Sequence, residues 1–578
     1  MAFLEVADYV VLVVFLLLSA SIGLYHALRG DRQRTAKEYL LADRQMHPIP
    51  VTISVVVSVL SAVTFLGIPA EVYIHGPQFW MSLPAKIFPM CIIPFSFVPV
   101  FYKLQVTSVY EYLEVRFGRT VRLLGMGTNF IHLVFYLGVA TYGPALALNA
   151  VTGLSLAGSI LAVGVVCTFY TSIGGIKAVL WADVFQSIIF LAGFFITIFA
   201  CSAHVGGFYE IFRINSRDGR DTFFDFRLNP TIRHTFWSVF IGFGISMTAY
   251  AGTNQIIVQR YMTCRTLKEA QWVAGAGSFF IGVVEVIAVL TGLCMYAYFA
   301  GCDPVSTGEV QRADQLMAYV ILDLFQHLPG MAGFLISAVF SASLSTISSG
   351  VNSLTTLVGQ DIIKPFFPQL TDFRFTISLK LIAVFFGICT IVMAFLASVL
   401  GGLLSLTLTI VGILNGPILG IFSLGVYFPW ANSKGAIAGM ISALAIGGWL
   451  KIGALVYPPI IDDPPLFVDK CPALVSNVTE IATTEFLGLV TEGTGVMLNG
   501  RPGIARLYAL SYAYYSPLAC FITIIVGLLV SFLTNPTDPS SLNRDLLSPI
   551  AKTCCSLPKE LQKELPSEVP NQTENTTL

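Results

Sequence analysis

The chain has 578 residues, 55% of them hydrophobic and 11% charged, with 32 basic against 33 acidic side chains and a formal net charge of −1. Soluble domains carry about a quarter charged residues, so this composition excludes a soluble enzyme and indicates a polytopic membrane protein. The charge balance argues against nucleic-acid partners, whose binding footprint is basic. The eleven cysteines fall mostly in apolar runs, with no CxxC pair and no Cys/His ligand spacing, so a transition-metal site is not expected.

A helix needs about 20 predominantly apolar residues to cross the hydrocarbon core. In chain order, thirteen runs qualify: 9–28, 48–73, 79–102, 124–147, 154–172, 178–203, 236–255, 272–298, 331–358, 377–399, 404–427, 435–456 and 510–533. The expected fold is an all-α polytopic membrane protein of about 13 transmembrane helices embedded in a lipid bilayer. The first run has no basic segment before it and is too long for a cleaved leader, so it reads as a retained signal-anchor helix.

An odd count places the termini on opposite sides. With the N-terminus outside, the inner connections carry more than twice as many Lys and Arg as the outer ones, which predicts an extracellular N-terminus and a cytoplasmic C-terminus. The loop 204–235 runs against this bias with five arginines, accompanied by Glu210, Asp218, Asp221 and Asp225. The sequon at Asn477 falls in the external loop 457–509 and predicts glycosylation there, whereas those at Asn571 and Asn575 fall in the tail and should stay bare. Cys302 and Cys471 also lie in external loops, where a disulfide and a pair of unlinked thiols are both compatible with the sequence. Residues 534–578, rich in Pro, Ser, Glu, Asn and Thr, are expected to form a disordered cytoplasmic tail.

Interruptions within spans discriminate among membrane proteins, because discontinuous helices at matching places in two repeats mark the binding sites of secondary transporters. The second span offers Gly67 and Pro69 at its middle. Five spans later, the seventh carries Gly242, Gly244 and Gly252 followed by Thr253-Asn254-Gln255. A five-helix unit has an odd number of crossings, so its copy is inverted. The predicted organisation is an N-terminal end, first helix and loop (1–47), a first repeat (48–203), an extracellular loop (204–235), a second repeat (236–427), the last two spans (428–533) and the tail. Small-residue packing is the bland account of the same glycines.

The densest polar cluster inside a span is Ser341-Ala342-Ser343-Leu344-Ser345-Thr346-Ile347-Ser348-Ser349, followed by Asn352 and Ser353. At helical spacing Ser341, Ser345, Ser348 or Ser349, and Asn352 share a face of uncharged oxygen donors. Such hydroxyls, joined with carbonyls freed by a broken helix, suit a hard cation such as sodium. Hydroxyls bonded to their own backbone are the alternative.

At these residues the sequence resembles the sodium:solute symporter family, in its branch of sodium-coupled monocarboxylate, multivitamin and iodide carriers. The resemblance runs from about residue 8 to 535 and rests on ordered blocks: Ser61-Ala62-Val63-Thr64 through Glu71-Val72-Tyr73, Thr107 through Leu113, Tyr142-Gly143-Pro144-Ala145-Leu146, Gly174 through Val179 with Asp183-Val184-Phe185-Gln186, Arg233 through Trp237, and Leu344 through Ser349. It implies a five-plus-five inverted-repeat (LeuT-like) core and sodium-driven import by alternating access at the plasma membrane. Mapped onto this chain, the family's sodium site takes the carbonyls of Leu60, Val63 and Ala342 and the hydroxyls of Ser345 and Thr346, with Na+ as coupling ion. Its substrate contacts map to Val59, Thr64, Tyr142, Ser246, Tyr250 and Ser405. Thr64 matches the carboxylate and vitamin carriers, and Ser246 makes one cavity wall smaller than in relatives that carry Trp.

Two of the charges inside spans stand out, Lys86 in the third and Glu285 in the eighth. Intramembrane charges are costly and mark pathways by default. Lys86 is a candidate fixed counter-ion for a substrate carboxylate, with snorkelling to the outer headgroups as the alternative; Glu285 reads as structural. Asp183 reads as a packing or gating residue, with Glu71 and His132 as weaker cases. The expected function is import of a small organic anion, most simply a short monocarboxylate such as lactate or nicotinate. A carrier of biotin, pantothenate or lipoate and a non-transporting ligand-gated sensor are the alternatives. No nucleophile–base arrangement suggests an enzyme, and the sequence gives no oligomeric state.

Overall fold

A computed structural model describes residues 4–28, 41–173, 176–399, 403–458, 463–471 and 503–554. Among the described residues the regular structure is helical, with one isolated bridge between Met46 and Cys264. Helices occupy all thirteen expected runs. Among the described residues, nine of them are long and apolar enough to cross a membrane, or ten when the bent pair Pro48–Val59 and Val63–His75 is taken as one span. The first and fifth runs have shorter apolar cores, Val6–Ser19 and Leu156–Thr168, and the seventh is interrupted, so length and composition alone do not return thirteen.

The first half comprises α1 (Val6–Leu28), α2 (Pro48–Val59), α3 (Val63–His75), α4 (Pro77–Leu104), α5 (Arg119–Thr152), α6 (Leu156–Ile173) and α7 (Ile176–Val205). After the short helix α8 (Phe208–Arg217), the second half comprises α9 (Gly244–Thr253), α10 (Gln255–Tyr261), α11 (Leu267–Tyr298), α12 (Leu316–Phe325), α13 (Met331–Val358), α14 (Asp372–Ala397) and α15 (Leu403–Tyr427). Two further helices, α16 (Ser433–Val456) and α17 (Tyr515–Leu533), pack on α15.

The second span bends by 60° between α2 and α3. Sequence placed its break at Gly67 and Pro69, but the chain opens earlier, at Leu60, whose φ of −87° and ψ of 98° are extended. Pro69 lacks an N–H and would press its ring on the preceding turn; the wide turn Val63–Gly67, closed by the Ile68 N–H on the Val63 carbonyl, absorbs that clash and keeps α3 continuous. The close approach that fixes the break comes from α5, where a Cβ on Gly143 would stand 2.5 Å from that of Ala62. The seventh span breaks at Asn254, which is extended and whose side-chain oxygen accepts from the Ile256 N–H.

The two broken spans run antiparallel. Glu71, near the end of α3, bonds Arg233 just before the seventh span, while Met46, before α2, pairs with Cys264, after α10. Between them α11 packs on α2, α3 and α7, and α13 packs on α5 and α7. The end holding Glu71 and Arg233 also holds a disulfide between Cys302 and Cys471 and is termed the disulfide face.

Residues 534–554 depart from the expected disorder. They fold back on the opposite end, the tail face, where Leu546 and Leu547 are buried, the Tyr112 hydroxyl donates to the Leu546 carbonyl at 3.1 Å, and the Ser548 N–H donates to Val426 at 3.0 Å. The polar composition of the segment hid this anchoring leucine pair. The remaining tail, Asn477 and the Gly174-Gly175 part of the family block lie outside the described residues.

Candidate functional site

The opened backbone at Leu60 faces the hydroxyl-rich stretch of α13. There the Thr346 hydroxyl donates to the Ala342 carbonyl at 3.1 Å and reaches the Ser58 carbonyl at 3.4 Å, two residues before the break. Ser58 and Ser349 face each other with their oxygens 3.2 Å apart. Part of the hydroxyl face takes the bland role: Ser341 donates to Ser337 and Ser348 to Ser345, both within the helix backbone. Ser345 instead points across to α7 and donates to Asp183 at 2.6 Å.

Asp183 is the centre of a buried hub. Its second oxygen accepts from Ser54 at 2.5 Å and from the Arg260 guanidinium at 3.3 Å. Arg260 is held in turn by Ser54 at 2.8 Å, by Ser349 and by the Ile256 carbonyl at 2.7 Å. This ties α2, α7, α10 and α13 together directly below the break. Sequence gave Asp183 a packing or gating role but offered no signal for its bond to a predicted sodium ligand, because the partners are 162 residues apart.

Above the hub lies a cavity of about 90 Å³ lined by five predicted substrate positions, Val59, Thr64, Lys86, Ser246 and Tyr250, and by two of the three predicted sodium carbonyl residues, Leu60 and Val63 but not Ala342. Sequence missed Phe79, Ser82, Tyr136 and Thr407 in its wall. The Tyr136 hydroxyl donates to the Val59 carbonyl at 3.3 Å, and its ring lies 5.8 Å from that of Tyr250. As aromatic residues in an apolar run, such positions look like ordinary packing.

Lys86 and Glu285, read separately from the sequence, form one ion pair with Nζ 2.7 Å from Oε2, and both line this cavity. Lys86 therefore does not snorkel to the headgroups. Nor is it an unopposed counter-ion, since Glu285 already balances its charge. The available clue was two opposite charges in mid-span, with no spacing to connect them.

Tyr142 and Ser405 do not join the central cavity. Ser405 lines a second cavity of about 490 Å³ toward the disulfide face, and the Tyr142 hydroxyl accepts from Arg312, which lines that same cavity, at 2.9 Å. The two cavities meet at Leu404. Around the second one, Glu71 binds Arg233 through two contacts, one of them 2.9 Å, and His75 pairs with Asp463. Burial lowers the His234 pKa to about 3, so this imidazole is neutral beside Arg233. Burial raises that of Asp314 to about 6, opposed by a hydrogen bond from the Leu403 N–H.

The chain matches the model of the sodium:solute symporter family over residues 39–443. It is 37% identical over 557 residues to the human sodium-coupled monocarboxylate transporter 2, covering 96% of this chain and 88% of the relative. Against the sodium-coupled monocarboxylate transporter 1 of Xenopus laevis it is 40% identical, covering 93% and 87%. Against the sodium-dependent multivitamin transporter of Oryctolagus cuniculus it is also 40% identical, covering 93% and 85%. A solved Na+-coupled sialic acid symporter, in a substrate-bound outward-open state, superposes with a TM-score of 0.72 at 22% identity, covering 93% of this chain and 99% of the other, a likeness of fold. The broken antiparallel spans, the hydroxyl-lined break and these relationships converge on one conclusion: the chain belongs to the sodium:solute symporter family and is a sodium-coupled carrier, not an enzyme.

Proposed function

We propose that the protein imports a short monocarboxylate with sodium across the plasma membrane by alternating access. The observation that carries the substrate class is the central cavity. At about 90 Å³ it is well below the roughly 300–1,000 Å³ of pockets for drug-sized ligands. Thr64, Ser246 and the Lys86 ammonium supply donors for a carboxylate, while Val59, Leu408 and Val411 offer an apolar wall for a short carbon chain.

Sodium is assigned to the break in the second span, with the carbonyls of Leu60, Val63 and Ala342 and the hydroxyls of Ser345 and Thr346 as ligands. Support comes from the Thr346 contacts across this gap and from the match of donor type to a hard cation. Ser405, in the outer cavity, and Tyr142, which holds Arg312 in its wall, act earlier, on the path by which the substrate enters. The disulfide face is assigned to the extracellular side, with an external N-terminus, a cytoplasmic tail and a glycan at Asn477. The Lys and Arg bias, the disulfide and the position of the sequon support this orientation.

The similarity to a multivitamin transporter keeps biotin and pantothenate in the test set. The test is uptake and current in oocytes for labelled lactate, nicotinate, biotin, pantothenate and iodide, in sodium and after replacement by choline. Sodium-dependent accumulation of lactate or nicotinate is expected. Accumulation of the vitamins alone overturns the monocarboxylate assignment, and ligand-gated current without accumulation overturns transport.

A further inference from the structure

The Lys86–Glu285 pair is built into the wall of the central cavity. Lys86 is 1% exposed and Glu285 7%. The stem of Lys86 lies in a notch on α11 at Gly282, where a Cβ would come within 2.9 Å of Lys86 Cγ, so the ammonium is delivered to Glu285 one turn further along. A buried ion pair adds little stability over apolar residues of similar volume, and within a membrane its desolvation is costly. Its place in the wall of the proposed substrate cavity gives it a use that packing does not.

An ammonium has three N–H donors, and Glu285 engages it through one oxygen. A substrate carboxylate entering this cavity can therefore bind Lys86 beside Glu285. Two carboxylates then share one ammonium in a low-dielectric site, and like charges so placed do not both stay ionised. Building on the monocarboxylate reading above, we propose that Glu285 is a proton-binding site coupled to substrate: when the substrate carboxylate occupies Lys86, Glu285 takes one proton, and the two are carried together.

The proton comes from water on the side to which the cavity is open and forms an O–H bond on the Glu285 carboxyl. On the other side, substrate leaves, Lys86 recaptures the carboxylate, and the proton returns to water. The pair is neutral when empty and neutral when loaded, so the net charge moved per cycle is that of sodium alone.

The neighbouring charges have their own partners. The other titratable groups lining the cavity are Tyr136 and Tyr250. On elements packed against α11, Glu71 is bound by Arg233, His75 by Asp463 and Asp183 by Arg260. At the ends of that helix Glu210 pairs with Arg213, Asp218 with Arg217, and Asp323 accepts from Tyr298. Asp314 titrates near 6 in the outer cavity and bears on entry, so the decisive readout is protons per carboxylate rather than rate against pH.

The test uses the full chain in proteoliposomes with a trapped pH dye, a sodium gradient, labelled lactate and potential clamped by potassium and valinomycin, with sodium-free uptake subtracted. About one proton entering per lactate is expected for the native chain, and a ratio near zero for Glu285→Gln, whose amide cannot take a proton. Sodium-driven lactate uptake without lumenal acidification overturns the proposal while leaving the monocarboxylate reading intact. The native-chain ratio decides this even if Glu285→Gln fails to fold. Sodium-driven uptake of a zwitterion such as an amino acid, with no carboxylate accepted, overturns both, since the pair would then divide between the two ends of the substrate.

Discussion

The hydroxyl of Ser345 donates to Asp183 at 2.6 Å, joining a proposed sodium ligand on α13 to a carboxylate on α7. Because Asp183 also holds Arg260, whatever draws Ser345 toward a cation also acts on the ion pair that closes the tail side of the break. Asp183→Asn leaves a buried guanidinium without a countercharge, a loss of about 3–5 kcal/mol for such pairs, whereas Ser345→Ala removes one hydrogen bond, about 1–3 kcal/mol. Melting midpoints in nanodiscs should fall much further for Asp183→Asn than for Ser345→Ala. Equal shifts would mean that Arg260 is satisfied without Asp183.

Thr346 reaches toward Ser58 just before the opened backbone. If its hydroxyl ligates sodium, Thr346→Ala raises the sodium concentration for half-maximal uptake about tenfold, equivalent to about 1.4 kcal/mol. Substrate affinity at saturating sodium should change much less. The measurement is uptake against sodium concentration at fixed substrate, and an unchanged half-saturation removes Thr346 from the site.

Lys86 and Glu285 should be strongly coupled in stability. Either single replacement by Met strands a buried charge, for a loss of about 3–5 kcal/mol, while the double replacement removes both charges and is close to neutral. Thermal stability of the two single variants and the double variant forms the cycle. Additive losses would mean that the 2.7 Å contact is not maintained in the membrane.

Burial raises Asp314 to about 6, above the roughly 3.9 of a free aspartate, so between these values the folded protein binds a proton that the unfolded chain has already lost. This group's contribution to stability is therefore full below about pH 4 and is lost as pH rises to about 6, on the order of 3 kcal/mol. Asp314→Asn should remove that component. The difference in melting midpoint between native and variant chains should grow from pH 4 to 6 in favour of the variant, then level off.

Cys302 and Cys471 bind the segment 463–471 to the end of α11, supported by the Asp303 N–H on Phe467 at 3.0 Å and the Lys470 N–H on Gly301 at 2.8 Å. Both thiols should resist maleimide until reduction. Cys471→Ser should lower the melting midpoint without abolishing the fold, because the two backbone bonds persist. Labelling before reduction would exclude the bridge.

Most spans could be read from the sequence because the bilayer imposes a length and an apolarity that survive any tertiary arrangement. The position of the first break could not. Gly67 and Pro69 mark where opening a helix is cheap, but the contact between Gly143 and Ala62 and the wide turn before Pro69 move it to Leu60. Four of the six substrate positions carried over by family resemblance, Val59, Thr64, Ser246 and Tyr250, share a cavity because they lie on the two broken spans, and Lys86, singled out by its charge, joins them from α4. Ser405 lines the second cavity instead, and Tyr142 bonds Arg312 in its wall, a distinction of depth along helices that single-sequence reading does not resolve. The Lys86–Glu285 pairing and the Asp183 hub are long-range contacts between spans and leave no local pattern.

The folded-back segment after α17 also determines where the chain can be shortened. Leu546, Leu547 and Ala551 are buried, and Asp545 meets Lys103 at 3.0 Å, so the polypeptide is committed to the bundle as far as the helix Pro549–Cys554. A stop codon or fluorescent fusion after residue 554 spares every one of these contacts. One placed just after Leu533 deletes them all and uncovers the Val426 carbonyl at the end of α15, so reporters and affinity tags belong beyond 554.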